Sequence, residues 1–180
     1  MPAESDEEAA AYAITQAIEA GTDGIAVPGD LLVEGATVPR QNPSLYNELA
    51  AMNVSQKLKL ALRGNRDART LLARDNNKII RRFVLNNPML TEEEIINIAR
   101  DKNATEEVLR VISERGDWVK SYGVRRALAT NPKTPLVIAL KQLATLLVND
   151  LGRIARSKDV PQAIVIQARK MVIIARDRGQ

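Results

Sequence analysis

From Ser55 onward, apolar residues recur every three or four positions, and nowhere do they alternate as in a strand. Ser55 is placed to cap a helix carrying Leu58 and Leu62 that ends at Gly64, and a second helix carries Ala68, Leu71 and Leu72. A third pairs Ile79 with Phe83 and Ile80 with Val84, then stops at Asn86-Asn87-Pro88. Thr91 and Glu94 form a capping box before Ile95, Ile98 and Ala99. Thr105 caps Val108, Leu109 and Ile112, and a helix follows from about Trp118 to Ala129. After Asn131-Pro132, Thr134 is placed as a cap with Pro135 at the first helical position, and Leu136, Leu140, Leu143 and Leu147 line one face. A short helix near Leu151 to Arg156 and a longer one from Pro161 to Arg176 complete about nine short helices with brief connections.

A four-residue phrase punctuates this pattern: Leu72-Ala73-Arg74-Asp75, Ile98-Ala99-Arg100-Asp101 and Ile154-Ala155-Arg156-Ser157, with a degenerate copy at Leu128-Ala129-Thr130-Asn131. Their first residues lie 26, 30 and 26 positions apart. Periods of this size belong to solenoids, in which no unit can bury its apolar face alone. The expected fold is therefore all-α: a right-handed superhelical array of short helices.

The first fifty residues read differently. Glu7 to Glu19 can form a short helix with Ala9, Tyr12, Ala13 and Ile18 on one side. Gly21, Gly24, Pro28, Gly29, Gly35, Pro39 and Pro43 then interrupt any regular element. Residues 1–50 hold nine acidic residues and one basic residue, Arg40, whereas residues 51–180 hold 25 basic and 13 acidic. Charges of −8 and +12 predict two regions: a loosely ordered acidic arm, 1–50, and a basic helical-repeat domain, 51–180. A tail serving only solubility has no need of Ile25, Val27, Leu31, Leu32 and Val33, so these five are candidates for docking the arm on the array.

The segment Val124-Arg-Arg-Ala-Leu-Ala-Thr-Asn-Pro-Lys-Thr-Pro135, with Ile80-Arg-Arg-Phe-Val-Leu-Asn-Asn-Pro88, resembles the leucine-rich-repeat variant, a family allied to the HEAT-like α-solenoids. The likeness spans roughly residues 57–176. It departs in period, since 26–30 residues suits a two-helix HEAT-like unit, and in lacking the cysteines that hold an iron–sulfur cluster in some members. The resemblance implies a superhelical binding scaffold and assigns no activity.

Composition narrows the chemistry. The chain has no cysteine and no histidine, which removes the commonest nucleophile pairings, the commonest general base and most zinc or iron sites. There is no phosphate-cradling glycine loop: Gly21 to Gly35 lacks a Gly-Lys-Ser/Thr ending. The expectation is a protein that is not an enzyme and uses no cofactor or metal. No apolar run reaches the roughly 20 residues of a membrane span; with an acidic N-terminus and no cysteine, a cytoplasmic location is expected.

Binding is left. Arg81-Arg82 and Arg125-Arg126 occupy matching positions before a helix stop, and Arg153 aligns with the second arginine of each pair. Matched positions in a solenoid stack into a stripe. Trp118 and Tyr122, two of only five aromatic residues, lie near it, and Trp, Tyr and Arg are the residues that dominate binding hot spots. The candidate partner-binding set is Arg81, Arg82, Trp118, Tyr122, Arg125, Arg126 and Arg153. The expected function is a non-catalytic adaptor that binds an acidic protein surface. The alternative is a nucleic-acid-binding module on the same stripe. The last helix carries Ile164, Val165, Ile166, Val172, Ile173 and Ile174 on more than one face, so a second copy of the chain docking there is a further candidate partner.

Overall fold

The computed structural model describes residues 6–35 and 43–177. Pro39 and Arg40 of the arm, the first five residues and the last three lie outside these segments. The described residues form twelve α-helices and one 3₁₀ turn, with no strand among them. They group into two compact units divided between Leu90 and Thr91.

The first unit holds α1 (Asp6–Ala20), the 3₁₀ turn (Gly29–Leu32), α2 (Pro43–Ala51), α3 (Val54–Arg63), α4 (Arg66–Leu72) and α5 (Lys78–Val84). Its centre is α3, against which α1, α4, α5 and the 3₁₀ turn all pack. The core is aliphatic, as the shortage of aromatics requires: Leu58, Leu60, Ala61, Leu72, Ile80 and Val84 are buried in it.

The described residues of the arm, 6–35 and 43–50, contribute to this core, which corrects for them the expectation of a loosely ordered segment. Ala11, Ile18, Leu31, Leu45 and Leu49 are buried in the same cluster as the α3 leucines. The structural division falls 40 residues beyond the charge shift at residue 50, because the arm's apolar residues share one core with α3 to α5. Helix α1 buries Ala11, Thr15 and Ile18, whereas Tyr12, grouped with Ile18 on one side by the sequence, is 63% exposed. The Thr15 hydroxyl donates to the Ala11 carbonyl one turn back at 2.8 Å, which lets a polar residue occupy the inner face.

The second unit comprises α6 (Glu92–Arg100), α7 (Glu106–Glu114), α8 (Gly116–Val119), α9 (Tyr122–Thr130), α10 (Leu136–Leu143), α11 (Val148–Ile154) and α12 (Gln162–Asp177). Helix α9 lies against α6, α8 and α10, and α12 closes over α10 and α11. Ala139, Leu143, Leu146, Leu151, Ile154, Ile164 and Ala168 form the core beneath α12.

Local capping explains most boundaries. The Glu94 amide donates to Thr91 Oγ1 at 3.3 Å and the Thr91 amide to Glu94 Oε2 at 3.0 Å, completing the expected box. The Val108 amide donates to Thr105 Oγ1. Three boundaries differ from the sequence reading. The cap of α3 is Asn53, boxed with Gln56, rather than Ser55. The helix expected from Trp118 to Ala129 breaks at Lys120–Ser121, because Ser121 accepts the Val124 amide and starts α9 anew. Thr134 does not cap α10: Pro135 takes the N-cap position, and the Thr134 hydroxyl is buried without a partner among the described residues. The first and last of these shift a start by one or two residues; the break, with α1 and α2, raises the count above nine.

One side-chain device recurs in both units. Asn87 donates its amide to the carbonyls of Ala61 (3.0 Å) and Gly64 (3.2 Å) at the end of α3, while its own oxygen accepts the Met89 amide at 2.9 Å. Asn131 donates to Ala99 (2.8 Å) and Asp101 (2.9 Å) at the end of α6, and accepts the Lys133 amide at 2.9 Å. Both asparagines are buried and precede proline. Each ties the exit of one helix to the end carbonyls of another, which have no intrahelical donor. Gly64 serves the same junction, because a Cβ there would sit 2.3 Å from the Leu60 carbonyl oxygen.

Replacing either asparagine by alanine strands one carbonyl, that of Ala61 or Ala99, and releases its turn, while the Gly64 carbonyl keeps Arg69 and the Asp101 carbonyl keeps the Ala104 amide. Asn87→Ala and Asn131→Ala should each destabilise the protein by about 2–3 kcal/mol in urea unfolding. Exposed Asn149, which sits in the first turn of α11, provides the control: Asn149→Ala should change stability by less than about 0.5 kcal/mol.

Candidate functional site

The expected binding residues fall in both units. In the first, Arg81 and Arg82 lie in the last turn of α5, half-buried. Arg82 Nη1 is 3.3 Å from Glu8 Oε1 of α1, so this arginine is taken up by the arm. Arg81 keeps its Nε buried without an acceptor among the described residues.

Two more cations of the first unit are engaged in the same way. Lys59 Nζ donates to Asp23 Oδ1 at 2.6 Å and to the Ile25 carbonyl at 2.8 Å. The ammonium of Lys59 holds the Asp23 carboxyl below its ordinary range, chiefly through that hydrogen bond. Arg69, 1% exposed, pairs with Glu34 and donates to the Gly64 carbonyl. Asn65 adds a direct backbone tie: its amide N–H donates to the Leu31 carbonyl at 2.7 Å and its side chain to the Asp30 carbonyl at 3.0 Å.

The five apolar arm candidates divide. Leu31 is fully buried, and Ile25 and Val27 pack half-buried on the core. Leu32 and Val33 are exposed, at 37% and 58%. The 3₁₀ turn inserts one leucine and turns its neighbour outward.

In the second unit, three of the five expected residues, Tyr122, Arg126 and Arg153, converge on a residue the sequence reading missed, Asp150. The Tyr122 hydroxyl donates to Asp150 Oδ2 and accepts the Leu147 amide at 3.2 Å. Arg126 Nη2 lies 3.6 Å, and Arg153 Nη1 3.7 Å, from Asp150 Oδ1. Arg125 places its guanidinium 5.6 Å from the centre of the Tyr122 ring, within cation–π range, while its Nε is buried without an acceptor among the described residues, as in Arg81. Burial, and then the Asp150 hydrogen bond, push the Tyr122 hydroxyl above its ordinary pKa.

Asp150 carried one sequence signal. Between Asp117 and Asp159 the chain has eight basic residues and this single carboxylate. The 28 residues separating it from Tyr122 hide the contact, which depends on α9, α10 and α11 folding back on one another.

Trp118 stands apart from Tyr122. It belongs to α8, beyond the helix break, and its half-buried ring carries the Arg115 guanidinium at 4.4 Å. Beside it, Asp117 and Lys120 form an exposed ion pair at 2.6 Å.

The edge of the Asp150 cluster is apolar and open. Leu147, whose amide binds Tyr122, is 64% exposed, and Val148 is 48% exposed. Leu147 is not on the α10 face expected from its spacing, because α10 ends at Leu143 and Leu147 is the N-cap of α11. On α12, Ile164, Val165 and Ala168 are buried, while Ile166, Ile173 and Ile174 are 44–59% exposed.

Among the described residues, no group of three or more carboxylates is arranged to hold a metal ion, and no helix is long and apolar enough to cross a membrane. Comparison of the chain with protein-family models, curated proteins and solved structures finds no match.

Tyr122 gives the cluster a pH signature. Its folded pKa lies above the unfolded value, so the stability it contributes is complete below about pH 10 and is lost as pH rises through the folded pKa. Unfolding free energy measured from pH 7 to 11 should fall at the alkaline end in the wild type. In Tyr122→Phe that fall should be shallower, on a baseline lower by about 1 kcal/mol at pH 7 from the lost hydrogen bonds.

Proposed function

We propose that this chain is a non-catalytic helical-repeat scaffold that binds an acidic partner protein through the arginine-lined face of its second unit. The observation that carries this reading is the contrast between the two sets of cations. Lys59, Arg69 and Arg82 of the first unit are engaged by acidic residues of the arm. Arg126, about as exposed as Arg82 (41% against 38%), and Arg153, 70% exposed, stand 3.6 and 3.7 Å from the Asp150 carboxylate, beside exposed Leu147 and Val148.

Net charge supports the same division. Residues 1–90 hold ten basic and eleven acidic residues, giving −1; residues 91–180 hold sixteen and eleven, giving +5. The positive field of the molecule belongs to the second unit, where it favours encounter with acidic surfaces. Tyrosine, arginine and exposed aliphatic groups in one patch are also the composition of a protein-binding hot spot. The repeat character rests on the recurring Asn-Pro junction, 44 residues apart, with the arginine pair before it.

The alternative partner, a nucleic-acid strand, has less in its favour. Tyr122 is tied at its hydroxyl and flanked by Arg125, and the Trp118 ring is taken up by Arg115, so neither ring is an open stacking platform.

Fluorescence anisotropy of the full chain separates the two. The probes are an acidic peptide of alternating glutamate and leucine and short single- and double-stranded nucleic acids, at about 50 and 200 mM salt. Peptide binding weakened about tenfold by combined Arg126→Ala and Arg153→Ala is the expected result. Nucleic-acid binding that falls steeply with salt and displaces the peptide would replace this reading with the alternative.

A further inference from the structure

Asp150 sits where a binding site for carboxylates would least want a carboxylate. Its Oδ2 is fixed by the Tyr122 hydroxyl, so the group is held in place rather than drawn in by the arginines. Its Oδ1 stands 3.6 and 3.7 Å from Arg126 and Arg153, beyond the 2.7–2.9 Å of a charge-assisted hydrogen bond. One carboxylate thus faces two guanidinium groups without satisfying either, and both remain partly exposed.

The first unit shows what meets the matching position at hydrogen-bond distance, 3.3 Å. Arg82 and Arg126 each stand five residues before the buried asparagine of an Asn-Pro junction. Arg82 meets Glu8 of α1, a helix whose Ala11, Thr15 and Ile18 are buried beneath it. The chain's own solution at this position is a glutamate on a segment that also contributes small and aliphatic side chains. At Arg126 that place is held only by Asp150, and the aliphatic groups there, Leu147 and Val148, are uncovered. A singly exposed leucine means little; one bonded through its backbone to the residue that anchors the cluster's carboxylate marks the same patch.

We infer that Asp150 is an internal competitor for the partner: it holds Arg126 and Arg153 loosely in the free protein and is displaced by a glutamate or aspartate on a partner segment whose neighbouring aliphatic side chains cover Leu147 and Val148. The inference rests on the function proposed above and specifies the partner's chemistry. Tyr122 is the positioning residue. By retaining Asp150 on Oδ2, it lets the arginines turn to the incoming carboxylate, which can accept two parallel N–H groups where Asp150 accepts none at bonding distance. Asp150 also sets specificity, because a lone anion without aliphatic neighbours gains too little to displace it.

The test uses the full chain and three labelled probes: the glutamate–leucine peptide, the same peptide with serine for leucine, and a peptide of residues 6–20 of this chain. Asp150→Asn keeps an acceptor for Tyr122 and removes the competing charge. It should tighten the glutamate–leucine peptide by about three- to tenfold, opposite to the loss expected if Asp150 contacted the partner favourably. Leu147→Ser should weaken that peptide and leave the serine peptide unchanged. Unchanged or weaker binding to Asp150→Asn, with native circular dichroism, overturns the inference while leaving the proposed function standing if the double arginine variant still loses binding. No binding of any peptide to the wild-type chain overturns both. Equal affinity for the residue 6–20 peptide overturns the foreign partner and makes a second copy of the chain the occupant. If Asp150→Asn melts early, the wild-type chain decides: the Asp150 carboxyl ¹³C resonance must shift on saturation with the glutamate–leucine peptide, and its constancy overturns the displacement.

Discussion

The structure depends on finishing helices that are too short to stand alone. Among the described residues only α1 and α12 exceed ten residues, and isolated helices below about 12–15 residues are marginal in water. A seven-residue helix leaves more than half of its carbonyls without an intrahelical donor. Packing aliphatic faces together buries those carbonyls, and burial without a partner costs about as much as a leucine contributes. The buried asparagines resolve the conflict. Asn87 and Asn131 bring two donors into the interior at the ends of α3 and α6, so helices can stop inside a core and still pack. The aliphatic contacts of α5 on α3, and of α9 on α6, rely on those junctions.

The same constraint decided what could be read from the residues. Caps and stops were legible because they are local: Thr91 with Glu94, Thr105 with Val108, and the Asn-Pro pairs act within a few positions. Helix faces were legible where leucine, isoleucine and valine carry them, as with Ile79, Ile80 and Val84. Legibility failed where alanine and threonine line the inside, since Tyr12 outweighs Ala11 and Thr15 in any reading by hydrophobicity. It failed at Thr134 because two good starting residues stood side by side and the proline prevailed. The candidate site was half legible. Its arginines and Tyr122 stood out by type and spacing, while Asp150 and Leu147 reach them only through the return of the chain over α10.

The charge shift at residue 50 is a feature of the sequence that the fold cancels. The arm's carboxylates lie beside cations of α3, α4 and α5, so the first unit is nearly neutral. Of these contacts the Arg69–Glu34 pair is the one with a fully buried partner, and it lies next to the Gly64 carbonyl and the Asn65 ties to the 3₁₀ turn. The acidic segment belongs to the hydrophobic and hydrogen-bonded framework first, and its charge follows from the cations it was placed against. The second unit has no such segment among its described elements, and Arg126 and Arg153 share one aspartate.

The proline after each buried asparagine has a consequence for the ageing of the protein. Asparagine side chains deteriorate mainly when the next backbone nitrogen attacks the amide carbon and closes a five-membered imide. Proline offers no N–H for that attack. Pro88 and Pro132 thus stop a helix and also shield the junction asparagines from the slow chemistry that would turn them into carboxylates. An aspartate formed at Asn87 or Asn131 would point a negative charge at two carbonyl oxygens. The residue that the fold can least afford to lose is, in each unit, among the asparagines least able to change with time.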